Sequence, residues 1–245
     1  MNARYGRRRF LHATLPGLGV VGLARSDGAR RAAPTPDRLD VRAFGATGDG
    51  VTRDTPGIQA AIDAAAARGG GTVHFPTGRF LSGTVTVRSR VTLHLSPGAV
   101  LLGSTDIADY PASDFPARDL DIGGHRIWAL VRAEGAEQIA IEGDGVIDGN
   151  GERFPRFEVR DPEVAEHPRP RMIFFKDCRG VSLRDVTLRE AGMWTVHLAM
   201  CDAVRVRGCA SRAASTSTRT ASCSTVAATP RSATASSTPW TTPSC

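Results

Sequence analysis

Trp194 and His197 stand close together in the run Met193-Trp194-Thr195-Val196-His197. An indole can stack on the face of a sugar ring, and an imidazole can hydrogen-bond a hydroxyl or a carboxylate. These two residues are the candidate substrate-binding pair. The competing reading is an aromatic and a histidine that fill a corner of the fold. Asp148 lies in the Gly-rich run Gly145-Val146-Ile147-Asp148-Gly149-Asn150-Gly151, where an Asx turn capping backbone amides is the expected role. His74 and His94 fall within strand-like runs and are expected to be structural. The segment 106–121 is rich in Asp and invites a calcium reading, but Pro and Arg interrupt it, so a solvated loop is expected. The five cysteines, 178, 201, 209, 223 and 245, are an awkward odd number for a disulfide framework. None has C-x-x-C spacing, so a zinc site is not expected. No residue is assigned a catalytic role.

The elements that would position these residues follow from periodicity. Asp40–Ala46 reads as a short strand entering a Gly turn. Asp54 or Thr55 can cap a helix, with Pro56 near its first position. Ile58, Ala61, Ile62 and Ala65 share one helical face, and Gly69-Gly70-Gly71 ends the helix. This helix should lie on a larger body as a lid. The period then becomes two. Thr72–Phe75, Phe80–Leu81, Thr84–Val87, Val91–Leu95, Val100–Leu102, Ile127–Ala133, Ile139–Ile141 and Val146–Ile147 read as short strands. Longer loops are expected at 103–126 and 150–170.

A repeat appears beyond them. Cys178-Arg179-Gly180-Val181-Ser182-Leu183 aligns with Cys201-Asp202-Ala203-Val204-Arg205-Val206 at an offset of 23 residues. Short strands at such a period read as a solenoid, here a parallel β-helix in which each coil stacks on the next. Position 178 should then sit beneath position 201, and Cys178 and Cys201 are read as buried packing thiols rather than a disulfide.

The two ends differ from the middle. Arg7-Arg8-Arg9-Phe10-Leu11, followed by an apolar stretch too short to span a bilayer, resembles a twin-arginine export signal. Residues 1–38 are read as that signal and a linker, which implies a secreted or periplasmic protein. From Ala210 to Cys245 there is no Gly, Leu, Ile, Asp, Glu or Lys. Residues 210–245 are read as an aberrant, disordered tail, and 39–209 as the solenoid. The net charge is +6 with 31 Lys and Arg, scattered rather than patched. Arg-favouring codon usage and a basic leader explain it more simply than a nucleic-acid surface, and no nucleic-acid motif is present.

Asp40–Gly50 with Thr52-Arg53-Asp54-Thr55, Gly70–Pro76, Gly78-Arg79-Phe80, Ser82-Gly83-Thr84, Val91–Leu95, Gly145–Gly151, Arg169-Pro170-Arg171 and Trp194–His197 together resemble the polygalacturonase family, glycoside hydrolase family 28. The resemblance covers about residues 40–209. It implies an all-β, right-handed parallel β-helix with a short N-terminal capping helix. It also implies an acidic polysaccharide such as pectin or galacturonan as substrate, no cofactor, and a monomer with no membrane partner. Inverting acid/base hydrolysis would need paired carboxylates with room for water between them. In that family those carboxylates follow the Trp-x-x-His stretch, and here none of the motifs follows it. The alternatives are a non-catalytic polysaccharide-binding β-helix and a calcium-dependent pectate lyase.

The tail suggests why. Reading the third base of each codon with the first two of the next, from Ala214 onward, yields codons ending TC, AC, TC, AC, CG, AC, GC, TC, TG, TC and AC. Those permit Val-Asn-Val-Asn-Pro-Asp-Gly-Ile-Val-Leu-Asp, and the next two codons permit Gly-Cys, which together resemble the family's first catalytic motif. A frame slip within 209–214 is therefore the expected origin of the tail. A genuine Ser/Thr/Pro-rich linker is the alternative.

Overall fold

The computed structural model describes residues 38–113, 127–154, 169–212 and 227–229. The export-signal segment up to residue 37, Cys223, Cys245 and the segment carrying the frame-slip reading lie outside the described residues.

Three parallel sheets wrap one core. The first sheet is β1 (Arg38–Asp40), β3 (Gly71–Phe75), β6 (Val91–Leu95), β9 (Glu137–Glu142), β12 (Arg179–Arg184) and β15 (Arg205–Arg207). The second is β2 (Asp49–Arg53), β4 (Gly78–Ser82), β7 (Ala99–Gly103), β10 (Val146–Asp148), β13 (Thr187–Arg189) and β16 (Ala210–Arg212). The third is β5 (Val85–Thr86), β8 (Ala129–Glu134), β11 (Arg171–Lys176), β14 (Val196–Ala199) and β17 (Ala227–Thr229). The chain visits the sheets in rotation, and each coil pairs in parallel with the one before it. The fold is the expected all-β, right-handed parallel β-helix.

Register makes columns of like residues. On the first sheet Val73 pairs with Leu93, Leu93 with Ile141, Ile141 with Leu183, and Leu183 with Val206. The first four of these are buried, while Val206 is 42% exposed. Strand residues alternate between core and surface there, as the pattern of β6 shows. Cys178 and Cys201 are buried free thiols, and their neighbours Arg179 and Asp202 form a parallel bridge. The 23-residue repeat and the packing role of both thiols therefore hold. Hydrogen bonding to Cys201 and burial push the Cys178 thiol up.

The helix α1 (Thr55–Ala67) buries Ile58, Ala61, Ile62 and Ala65 against the end of the core, as read. Its end at Gly69-Gly70 also matches, because the Gly70 amide reaches back to the Ala65 carbonyl at 3.0 Å. Asp54 behaves differently from the expected side-chain cap. It occupies the N-cap position but makes no side-chain cap bond. Its carboxylate accepts the Thr47 amide at 2.6 Å and the Gly48 amide at 3.0 Å instead. This pins the 45–50 turn under the helix. Gly57 allows that contact, since a Cβ there would lie 2.6 Å from the Ala46 nitrogen.

The sheets continue past residue 209. Residues 210–212 pair with β13 and residues 227–229 with β14, so these parts of the stretch read as a disordered tail are strands. The rest of that stretch lies outside the described residues.

Two outcomes test this architecture. Asp54→Ala, which leaves two amides of a tight turn without an acceptor, should cost about 1–3 kcal/mol in chemical denaturation. Site-resolved thiol labelling of the folded chain should leave Cys178 and Cys201 unmodified until denaturant is added.

Candidate functional site on the third sheet

The third sheet departs from simple alternation. All six residues of β11 and all four of β14 are buried, so both faces of these strands are covered. Ile173, Phe175 and Leu198 belong to the main core, whereas Phe174, Ala199, Ala129 and Ile127 form a separate cluster. The outward-facing column on this sheet is Arg132, Phe174 and His197, paired in that order across β8, β11 and β14.

Trp194 and His197 are brought together, their ring centroids 4.4 Å apart. The Phe174 ring centroid lies 5.1 Å from that of His197. The Arg171 guanidinium carbon is 5.4 Å from the Trp194 ring and 5.5 Å from the Phe174 ring. Burial, and then the charge of Arg171, pull the His197 imidazole down to about 4, so it is neutral near pH 7. Burial lowers the Arg171 guanidinium to about 10, still fully charged at neutral pH.

Beside this cluster runs an open groove of about 670 Å³. Thr86, Arg88, Ser113, Arg132, Glu134 and Phe174 are among its walls. Arg132 bonds the Thr86 hydroxyl at 3.1 Å and the Pro111 carbonyl at 3.4 Å. Both acceptors are neutral, and among the described residues no carboxylate pairs with it. Ser113 comes from the loop after β7, which is fixed by Tyr110: its hydroxyl donates to the Ser104 carbonyl at 2.7 Å. The same loop is tied to the body by Arg53, which pairs with Asp106 at 3.1 Å and Asp109 at 2.9 Å. These two aspartates of the 106–121 segment thus serve ion pairing, and Asp106 also caps a short 3-10 turn. Asp114, Asp119 and Asp121 lie outside the described residues.

The carboxylates on the third sheet's margin are engaged with a cation. Glu134 and Asp177 approach the Lys176 ammonium at 3.9 and 3.8 Å. Glu190 is raised by burial and by the nearby Glu152 and Asp148. It belongs to the corner before Trp194, where its carbonyl accepts the Gly151 amide at 2.7 Å. Asp148 is structural, as read: it accepts the Asn150 amide at 3.0 Å and pairs with Arg189 at 2.8 Å. His74 and His94 are also structural, bonding Ser96 at 2.8 Å and Glu142 at 3.3 Å on the first sheet.

Arg171, Phe174 and Arg132 were not singled out from the sequence as site residues. The signal for two of them was present. The offset of 23 that stacks Cys178 under Cys201 also places Arg171 under Trp194 and Phe174 under His197. Arg132 needed the register across the long 149–170 connection, which no repeat announces.

Comparison with known proteins agrees with the fold. Residues 39–100 match the family model described as rhamnogalacturonase A/epimerase, pectate lyase-like. The "Probable polygalacturonase" of Vitis vinifera is 30% identical over 165 residues, covering 63% of this chain and 32% of that protein. The exo-poly-alpha-D-galacturonosidase of Dickeya chrysanthemi is 37% identical over 125 residues, covering 47% of this chain and 20% of that protein. The plasmin and fibronectin-binding protein A of Streptococcus pneumoniae is 38% identical over 116 residues, covering 46% of this chain and 15% of that protein. The family 28 exopolygalacturonase structure from Yersinia enterocolitica superimposes with a TM-score of 0.64 at 26% identity, covering 73% of this chain and 39% of that one. The chain spans a third or less of the length of these curated relatives. The fold is thus a parallel β-helix, and the chain is similar to polygalacturonases over part of their length.

The buried neutral His197 carries a pH signature. Its pKa is lowered on folding, so the unfolded chain binds the proton more readily. Stability should therefore fall as pH drops from about 6.5 toward about 4. Denaturation midpoints measured across that range should change less steeply in His197→Gln than in the parent. His74, also lowered, chiefly by burial, contributes a residual slope to both.

Proposed function

We propose that this chain is an exported, polygalacturonase-like glycoside hydrolase component that engages galacturonan, the acidic backbone of pectin, along the third sheet. The observation that carries the reading is a groove lined by Arg132, adjoining a Trp194–His197–Phe174 cluster. Cationic walls suit a polymer with a carboxylate on each sugar, and an indole suits a pyranose face. The names of the Vitis and Dickeya relatives support the same substrate class. Bond cleavage in this reading is inverting, with one carboxylic acid protonating the glycosidic oxygen and carboxylates opposite activating water. The described residues do not supply that set, since Glu134 and Asp177 both face Lys176. The reading therefore assigns the acid and base to coils following β16, in the frame-restored sequence, and makes the chain a binder that does not cleave.

A second reading, a non-catalytic surface β-helix, is favoured by the likeness to the streptococcal binding protein. Incubation with polygalacturonate separates the possibilities. The chain as it stands should release no reducing ends, and a frame-restored version should release them without any ultraviolet-absorbing unsaturated product. Cleavage by the unaltered chain at a dedicated hydrolase's rate would overturn the reading. Unsaturated products lost on chelation would point to a lyase.

A further inference from the structure

Among the described residues Arg171 is a buried cation without an anion. It is 6% exposed, and its Nε and Nη1 atoms are shut off from solvent with no acceptor. An ionised group placed this way is strongly disfavoured unless something pairs with it. The Trp194 and Phe174 rings lie close enough to offset part of that cost, but a ring face is not a hydrogen-bond acceptor for both nitrogens. A second orphan lies in the same cluster: His197 is 4% exposed, and its Nδ1 is buried and unpartnered. Native structures rarely leave such atoms unsatisfied, and both residues belong to one aromatic-walled cluster. The cluster borders the groove at Phe174, which belongs to both.

We propose that Arg171 and His197 form a carboxylate-binding recess on the third sheet, which takes the carboxylate of a uronic acid sugar with Trp194 as its wall. Each edge of a guanidinium offers a carboxylate two parallel N–H bonds, and each edge of Arg171 includes one of the orphan nitrogens. His197 Nδ1 bonds the same carboxylate or an adjoining hydroxyl. The sugar's identity rests on the pectin reading; the carboxylate itself does not.

The test is calorimetric titration of the full chain with trigalacturonate, its methyl ester, trimannuronate and acetate, together with melting curves. The parent should prefer trigalacturonate over its methyl ester by at least about tenfold, the worth of a charged hydrogen bond. Arg171→Met should lose that preference and, freed of an unpaired buried charge, melt at a higher temperature than the parent without ligand. Arg171→Lys, a point charge without the fork, should keep only part of the preference. His197→Gln supplies an independent readout, with acid affinity lowered while the methyl ester's is unchanged. A full acid preference in Arg171→Met, or a lower melting temperature with binding intact, would make Arg171 a packing cation and sink the recess while leaving the pectin reading standing. An Arg171-dependent preference shown equally for trimannuronate keeps the recess and removes the pectin assignment. Saturation by acetate at the same affinity, or no binding of any acid, overturns the proposal.

Discussion

Parallel hydrogen bonding between successive coils is the constraint on which everything else rests. A single coil of this chain has three strands of two to six residues and no way to bury its inward side chains alone. Pairing with the next coil satisfies the backbone and closes the column of apolar residues at the same time. Val73, Leu93, Ile141 and Leu183 form such a column, each one coil above the last. The helix α1 closes one end by laying Ile58 and Ile62 on the core. Asp54 makes that lid fit, because its carboxylate holds the 45–50 turn directly beneath.

The same stacking that builds the core builds the site. A residue on one strand has its neighbours on the coils before and after, at the same register position. Arg132, Phe174 and His197 meet for that reason, although they come from widely separated parts of the chain. The third sheet differs from the first in what its outer face carries. On the first sheet the outward positions are solvated polar side chains such as Thr92 and His94, while β11 and β14 are covered on both faces. Burial on the outer face is what shifts His197 and Arg171 and leaves their nitrogens without partners.

Much of the fold was legible in the sequence because its signals are local. Alternation in Val91–Leu95, the Ile58–Ala65 face and the Gly stops each lie within a dozen residues. The repeat at Cys178 and Cys201 gave the solenoid because two consecutive coils happen to have no insertion between them. Asp54 stands at the N-cap as read, but its carboxylate bonds amides that precede the helix, a partnership the local pattern does not show. The site was half legible. Trp194 and His197 stood out by residue type, but Arg171 looks like any surface arginine until the coil beneath Trp194 is laid in place. Residues 210–212 and 227–229 fall in a stretch whose composition argued against strands, yet they meet the free edges of β13 and β14, and an edge accepts any backbone with available amides and carbonyls.

Insertions in this solenoid leave through one corner. On the first sheet Thr72 pairs with Thr92, then Ala140, Ser182 and Arg205. The two wide gaps in that series are the loops that leave after β7 and after β10, between the second and third sheets. The stack itself keeps its register across both. The loop after β7 supplies Ala112 and Ser113 to the groove while Tyr110 of the same loop anchors it in the core, so the rim beyond that anchor can be recast while the coils keep their register along the axis.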